Sequence, residues 1–215
     1  MVTSLICSGL LIIFAYLLGS LPTGYLAGKY LQGIDIRECG SGSIGATNVL
    51  RTLGKTAAIA VLGIDILKGA LALILVKFAY LLIPTEILPT NWQPWLITAT
   101  ALAAVLGHSK SIWLNFSGGK SVATSLGILL VMSPLVALGT LTAFGIVLAI
   151  SRIVSLSSIT GAIAVNLLMI LLNQPLPYVI FCALAGVYVI VRHRTNIQRL
   201  LAGNEPKIGQ KLQDC

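Results

Sequence analysis

Apolar residues fall along this chain in seven runs, separated by short segments rich in glycine and basic side chains. The runs cover roughly Leu5–Leu26, Thr56–Ile83, Pro94–Leu106, Ser121–Met132, Pro134–Ile150, Ser155–Leu172 and Pro177–Val191. A helix of about 20 apolar residues spans a bilayer, so each run predicts a membrane helix. The third and fourth runs are short for a full crossing. They predict helices that begin inside the flanking loops, or a locally thinned bilayer. Met1-Val2-Thr3-Ser4 holds no Lys or Arg, and no small-residue cleavage site follows the first run. A retained helix is therefore expected there instead of a cleaved signal. No Gly/Ser linker or charge block divides the chain, so residues 1–215 are expected to form one domain. The expected fold is an all-α membrane protein with seven transmembrane helices.

Composition sharpens this picture. Hydrophobic residues make up 57% of the chain and charged residues only 9%, against about 45–50% and about 25% in soluble domains. A soluble enzyme and a disordered chain are both excluded. Fourteen Lys and Arg against six Asp and Glu give a net charge of +8. Nucleic acid is a poor partner for this charge, because all the basic residues but Lys68 and Lys77 sit in loops between apolar runs. Anionic lipid or a phosphorylated substrate fits better. Twelve of the fourteen fall on one side of a seven-span map: Lys29, Arg37, Arg51, Lys55, Lys110, Lys120, Arg152, Arg192, Arg194, Arg199, Lys207 and Lys211. The loops of the other side, Pro84–Gln93, Ser133 and Asn173–Leu176, hold none. The positive-inside rule then puts the N-terminus outside and the C-terminus in the cytoplasm. Trp92, Trp95 and Tyr178 fall near the outer ends, as interfacial aromatics do. The cysteines Cys7, Cys39, Cys182 and Cys215 show no CxxC or metal-type spacing, so neither a disulfide nor zinc is expected.

Three cytoplasmic segments carry the chemistry. The first is Gly40-Ser-Gly-Ser-Ile-Gly-Ala-Thr-Asn-Val-Leu-Arg51. Its glycines allow tight turns, and backbone N–H groups in such a loop bind anions where it opens a helix. If a helix starts at Ala46, then Thr47, Asn48 and Arg51 share a face, and Arg51 presents a two-pronged donor to phosphate. The string Gly40-x-Gly42-x-x-Gly45 matches a dinucleotide fingerprint, but that needs a βαβ unit and the following Asp65 lies in an apolar run. The second segment runs from Gly107-His108 to Gly118-Gly119-Lys120-Ser-Val-Ala-Thr. It ends like a P-loop, but Leu114 stands where a glycine is required, so ATP hydrolysis is not indicated. A Gly-Gly turn, a lysine and a helix start suit a second anionic group; Lys110 reads as an interfacial anchor. The third segment is Arg192-His193-Arg-Thr-Asn196-Ile-Gln-Arg199, ending near Gly203 and Glu205. On a helix continuing the seventh run, its polar residues make one stripe.

Smaller features complete the reading. Ser155 opens the sixth run and can cap it or touch a ligand. Asp65 and Lys68, three apart in the second run, are expected to neutralise each other as a structural pair. No nucleophile–base constellation and no metal-ligating cluster stands out, so no metal and no cofactor are expected. A site of Arg, Lys, Ser, Thr, Asn and glycine amides would work by positioning and charge stabilisation.

Taken together, Gly-Ser-Gly-x-x-Gly-Ala-Thr-Asn-x-x-Arg, Gly-His…Gly-Gly-Lys-x-Val-Ala-Thr and Arg-His-Arg-x-Asn-Ile-x-Arg-Leu resemble the bacterial acyl-phosphate-dependent glycerol-3-phosphate acyltransferases. The resemblance runs from about Gly19 to Glu205. It implies a seven-span enzyme of the bacterial inner membrane that moves a fatty acyl group from acyl phosphate to the 1-hydroxyl of glycerol 3-phosphate. The products would be lysophosphatidic acid and phosphate, in the first acylation of phospholipid synthesis. By matched position, Arg51, Lys120, His193 and Asn196 are implied to be catalytic. Ser41, Gly42, Ser43, Thr47, Asn48, Gly118, Gly119 and Ser155 are implied to bind substrate with them. Membrane lipids and the soluble enzyme that makes acyl phosphate are the implied partners. Ser43 stands where the family commonly has Asn, and Ser111 and Ser117 replace a usual Pro and Lys. These departures bear on loop shape, not on the reaction class.

The residues themselves favour acyl phosphate as donor. The soluble-faced acyltransferases that use thioesters carry a His-x4-Asp pair, in which the histidine acts as base. Here Trp113 follows His108 by five and Gln198 follows His193 by five. The competing class is a transporter of phosphorylated metabolites, which would place its binding groups near the bilayer midplane.

Overall fold

A computed structural model describes residues 1–210, so Lys211 and Cys215 lie outside the described residues. It contains α-helices and short 3-10 turns: α1 (Val2–Ser20), α2 (Thr23–Gln32), α3 (Ala46–Thr52), α4 (Lys55–Leu82), α5 (Gln93–Ser109), α6 (Val122–Met132), α7 (Pro134–Ser151), α8 (Val154–Leu171), α9 (Leu176–Arg192) and α10 (Arg194–Leu201). Four segments are long and apolar enough to cross a membrane: Val2–Gln32, α4, α7 and α8. The bent pair α9–α10 makes a fifth if it is taken as one span. Large apolar side chains such as Leu10, Ile13, Phe78, Leu135 and Leu138 are exposed on the outer faces, where only lipid gives them a favourable surrounding.

Each apolar run is a helix, with differences at the ends. The first run is broken at Leu21-Pro22, between α1 and α2. Pro22 has no N–H to donate and ends the helical ladder. Lys68 of α4 donates from Nζ to the Leu21 carbonyl (2.9 Å) and to Asp65 Oδ1 (2.9 Å). Thr23 at the start of α2 donates its hydroxyl to the same carboxylate oxygen (2.6 Å). The pair expected at this spacing therefore forms, and it fastens the break onto α4. The third run extends as α5 through His108 to Ser109, while α6 has only 11 residues.

Two glycines bring α4 and α6 together. A Cβ on Gly69 would lie 2.1 Å from the Thr124 carbonyl oxygen, and one on Gly127 would lie 1.8 Å from that of Ile66. Any side chain at either position would force the helices apart. The larger hydrophobic core joins α1, α4, α5, α6, α7, α8 and α9. A smaller one, with Ile36, Ile44, Val49, Ala57, Ala58, Val61 and Leu114, lies beneath the first polar segment. Leu114 thus packs the second polar segment under the first.

Two expectations are corrected. The third polar segment does not continue α9 as one straight helix, because the axis turns by 58° into α10. The turn falls at His193, whose N–H is shared between the carbonyls of Val189 and Ile190 (3.1 and 3.0 Å). Cys39 is disulfide-bonded, whereas Cys7 and Cys182 are free thiols.

Candidate active site

The first polar segment is built around Asn48. Its side chain is 1% exposed. Its Nδ2 donates to the carbonyls of Ile36 (3.1 Å), Cys39 (3.0 Å) and Ser43 (2.9 Å), and its Oδ1 accepts from the Ser41 N–H (2.8 Å). Asn48 therefore shapes the loop. Gly40 meets this amide at φ +57°, and a Cβ there would lie 2.4 Å from Asn48 Oδ1, so both conformation and space require glycine. The helix expected from Ala46 is present. Ser41, Ser43, Thr47 and Arg51 all line one cavity of about 480 Å³. Arg51 also donates from a guanidinium nitrogen to the Pro206 carbonyl (3.4 Å).

In the second segment the Gly-Gly turn packs against His108. The Gly119 N–H donates to the His108 carbonyl (3.1 Å). A Cβ on Gly118 would lie 2.3 Å from that carbonyl oxygen, and one on Gly119 would lie 2.1 Å from His108 Nε2. Arg192 donates to the carbonyls of both glycines (2.9 and 3.2 Å). Gly118, Gly119 and Gly42 are absent from the lining of the cavity, while Lys120 faces it. The departures at Ser111 and Ser117 have clear local roles. Ser111 donates its hydroxyl to the Ser20 carbonyl (2.6 Å) and its N–H to the Ser117 carbonyl (3.3 Å). A proline there could make neither bond. The Ser117 hydroxyl donates to the Leu114 carbonyl (2.6 Å).

The third segment converges on a carboxylate that the sequence reading left out of the site. Glu205 Oε1 accepts from Ser155 Oγ (2.7 Å) and from Asn196 Nδ2 (2.6 Å), and Oε2 accepts from Arg199 Nε (2.7 Å). Asn196 Oδ1 in turn accepts from Lys120 Nζ (2.5 Å). The chain Lys120–Asn196–Glu205–Ser155 thus ties the start of α6 to α10 and α8. His193 donates from Nδ1 to the Val189 carbonyl (2.8 Å), which leaves Nε2 of the neutral ring as an acceptor. The one signal for Glu205 was its isolation: it is the lone acid among Arg192, Arg194, Arg199 and Lys207.

The electrostatics are strongly positive. Burial pushes the Lys120 ammonium down to about 8; Glu205 opposes this, and Arg199, Arg192 and Arg51 add to it. Burial also lowers Arg51, against the pull of Glu205. For Glu205, burial works upward, but hydrogen bonds from Asn196, Ser155 and Arg199 and the charge of Arg199 hold its carboxyl below the ordinary value. Three or four cations thus gather around one carboxylate, and an anion is the natural complement.

From this basic end the cavity continues between α4, α6, α7, α8 and α9. There its lining turns apolar, with Leu126, Leu129, Leu141, Phe144, Val165 and Phe181. Asp65 and His108 stand in its wall, with His108 Nδ1 3.7 Å from Asp65 Oδ1, too far for a hydrogen bond. The site is therefore a charged, hydrogen-bonding mouth joined to a hydrocarbon arm.

Known proteins share this fold and sequence. A family model described as glycerol-3-phosphate acyltransferase matches residues 9–203. A glycerol-3-phosphate acyltransferase of Rippkaea orientalis (strain PCC 8801 / RF-1) is 68% identical, over 96% of this chain and 95% of that relative. One from Synechocystis sp. (strain ATCC 27184 / PCC 6803 / Kazusa) is 60% identical, over 99% and 96%. The crystal structure of PlsY, an integral membrane glycerol 3-phosphate acyltransferase, in its glycerol 3-phosphate form superposes with a TM-score of 0.85. It is 40% identical and covers 94% of this chain and 96% of that one. The lysophosphatidic acid form superposes with a TM-score of 0.82 at 39% identity, with the same coverage.

Proposed function

This chain belongs to the glycerol-3-phosphate acyltransferase family, and on that premise we propose that it transfers a fatty acyl group from acyl phosphate to the 1-hydroxyl of glycerol 3-phosphate. The products are lysophosphatidic acid and phosphate. The observation that carries the reading is the two-part cavity. Its mouth has Arg51 and Lys120, suited to phosphates, and its arm is apolar, suited to an acyl chain. A transporter is the weaker reading, because Arg51, Lys120, Ser155, His193 and Asn196 gather at one end of the cavity and not along a path through the bilayer.

Acyl phosphate already carries a good leaving group, so positioning and charge screening suffice for the reaction. The hydroxyl oxygen bonds to the acyl carbon, the bond from that carbon to the phosphate oxygen breaks, and the hydroxyl proton passes to the phosphate. Two phosphates repel each other when brought close, and Arg51 and Lys120 screen that repulsion. Ser41, Ser43, Thr47 and Ser155 offer hydroxyls to phosphate and glycerol oxygens, and His193 Nε2 can accept from a glycerol hydroxyl. Asn48 holds the first loop in shape, and Gly118 and Gly119 pack against His108 just ahead of Lys120.

The same reading takes α1 with α2, and α4 to α9 singly, as seven spans in the bacterial inner membrane, with the N-terminus outside and the mouth of the cavity in the cytoplasm. Twelve basic residues on one side support it. Single cysteines at positions 43, 117 and 198 of a cysteine-free variant should resist an impermeant reagent applied to intact cells. Labelling of any of them from outside overturns the orientation. The donor is tested by offering purified enzyme glycerol 3-phosphate with acyl phosphate, acyl-CoA or acyl carrier protein in turn. Comparable rates with acyl-CoA free of acyl phosphate would overturn the donor while leaving the acyltransferase standing.

A further inference from the structure

We propose that Phe181, at the blind inner end of the apolar arm, sets the longest acyl chain that the enzyme accepts. The proposal rests on the reading above, in which the arm holds the acyl chain. On α8 the lining starts near the mouth with Val154 and Ser155 and ends at Val165. Val165 is ten residues beyond Ser155, about 15 Å at about 1.5 Å per residue. On α9, which runs the opposite way, it starts with Phe181, twelve residues before His193 and about 18 Å from it. On α6 it ends at Leu129. The helices therefore close the arm at one level. Behind that level Met132, Val136 and Met169 are buried in the same core as Phe181 but do not line the cavity. The Phe181 ring, 1% exposed, is the plug between cavity and core.

The wall nearer the mouth is kept open. At Gly161 an added Cβ would meet nothing closer than Thr140 Cγ2 at 3.6 Å, an ordinary contact. Helix packing therefore leaves room at this position for a larger residue, and the free space belongs to the cavity. Gly161 lies four residues short of Val165, about 6 Å closer to the mouth. A side chain there shortens the arm, and a smaller residue at 181 lengthens it.

The experiment compares wild type, Phe181→Ala, Phe181→Leu and Gly161→Leu with a homologous series of saturated acyl phosphates at fixed glycerol 3-phosphate, measuring lysophosphatidic acid formed. In parallel, lysophosphatidic acids of the same chain lengths are tested for their thermal stabilisation of each purified protein. Phe181→Ala should move the optimum to longer chains, with Phe181→Leu in between, and Gly161→Leu should move it to shorter ones. Each methylene that gains a buried place should raise kcat/KM for the donor about fourfold, while KM for glycerol 3-phosphate stays near wild type. Should Phe181→Ala fail to fold, Phe181→Leu and Gly161→Leu still carry the test in opposite directions. Unchanged profiles in both measurements, with acyl transfer intact, overturn the proposal: the chain then leaves the cavity between helices. Shifted stabilisation profiles without any transfer from acyl phosphate uphold the chain-length role and overturn the donor.

Discussion

Asp65 and Glu205 are both buried carboxylates held by cations, and their surroundings differ in charge balance. Asp65 faces Lys68 at 2.9 Å, with both side chains 2% exposed, and Lys68 also donates to the Leu21 carbonyl. One acid meets one base, and the Thr23 hydroxyl and the Leu21 carbonyl complete the joint. Glu205 is 4% exposed in its side chain, but its partner Arg199 is 40% exposed, and Lys120 and Arg51 add charge that no second carboxylate among the described residues neutralises. The first arrangement suits a permanent joint. The second leaves positive charge unmet until an anion arrives. A buried ion pair is therefore structural or functional according to its local surplus, not its burial.

The largest effect should follow from breaking the balanced pair. Lys68→Ala leaves Asp65 as an uncompensated buried charge, a loss of about 3–5 kcal/mol. The double variant Asp65→Leu with Lys68→Met should regain most of this, because it removes both charges. Thermal unfolding in detergent reads the difference. If single and double variants unfold alike, the hydrogen bonds to Leu21 and from Thr23 matter more than the charges. At the unbalanced site the loss should appear in turnover. Arg51→Ala and Lys120→Ala each remove a charge facing phosphate, worth about 1.5–3 kcal/mol, or about 10–200-fold in kcat/KM. Steady-state assays with folded protein check this. Unaltered kinetics in either variant would mean that the surplus charge is not a substrate site.

Much of this contrast was legible in the chain. The Asp65–Lys68 pair follows from three-residue spacing on a predicted helix, and the shared face of Thr47, Asn48 and Arg51 was conditional on a helix from Ala46, which is present. The network around Glu205 was not legible, because it joins Ser155, Asn196 and Lys120 from elements up to 85 residues away. No local pattern records such convergence. The apolar arm was hidden for another reason. Phe144, Val165 and Phe181 look in sequence like any core or lipid-facing residue, and only the packing of α6 to α9 shows that space remains among them. The seat that Gly118 and Gly119 make for the His108 ring was hidden as well, because a phosphate cradle and a seat for a ring require the same small residue.

The surplus charge also predicts a pH response of intermediate size. Lys120 is lowered to about 8, so it carries its charge below that value and loses it as pH rises through it. A phosphate monoester reaches its dianionic form above about pH 6. The free-enzyme parameter kcat/KM should therefore fall above about pH 8, up to about tenfold per unit. Lys120→Arg keeps the charge across this range and should remove the alkaline fall, even if its geometry lowers the maximum rate. An alkaline limb that persists unchanged in Lys120→Arg would assign the titration to another group.

The smallest effects should come from basic or polar positions outside the cavity, and they mark where the site stops. Lys110 is exposed and does not line the cavity, and its carbonyl, which accepts from the Tyr16 hydroxyl at 2.7 Å, survives any side-chain change. Lys110→Ala should therefore change kcat/KM by less than about threefold, within the usual range of a surface substitution. Ser117 is also exposed and also absent from the lining, but its hydroxyl donates to the Leu114 carbonyl. Ser117→Lys gives up that bond, worth about 1 kcal/mol at most for so exposed a donor. The loss should appear as a small drop in melting temperature. The backbone bond from the Ser111 N–H to the Ser117 carbonyl remains and keeps the turn before Gly118 in place, so turnover should stay close to wild type. Damage from Lys110→Ala equal to that from Lys120→Ala would show that the basic face acts as a diffuse field, with no distinction between the cavity mouth and its surroundings.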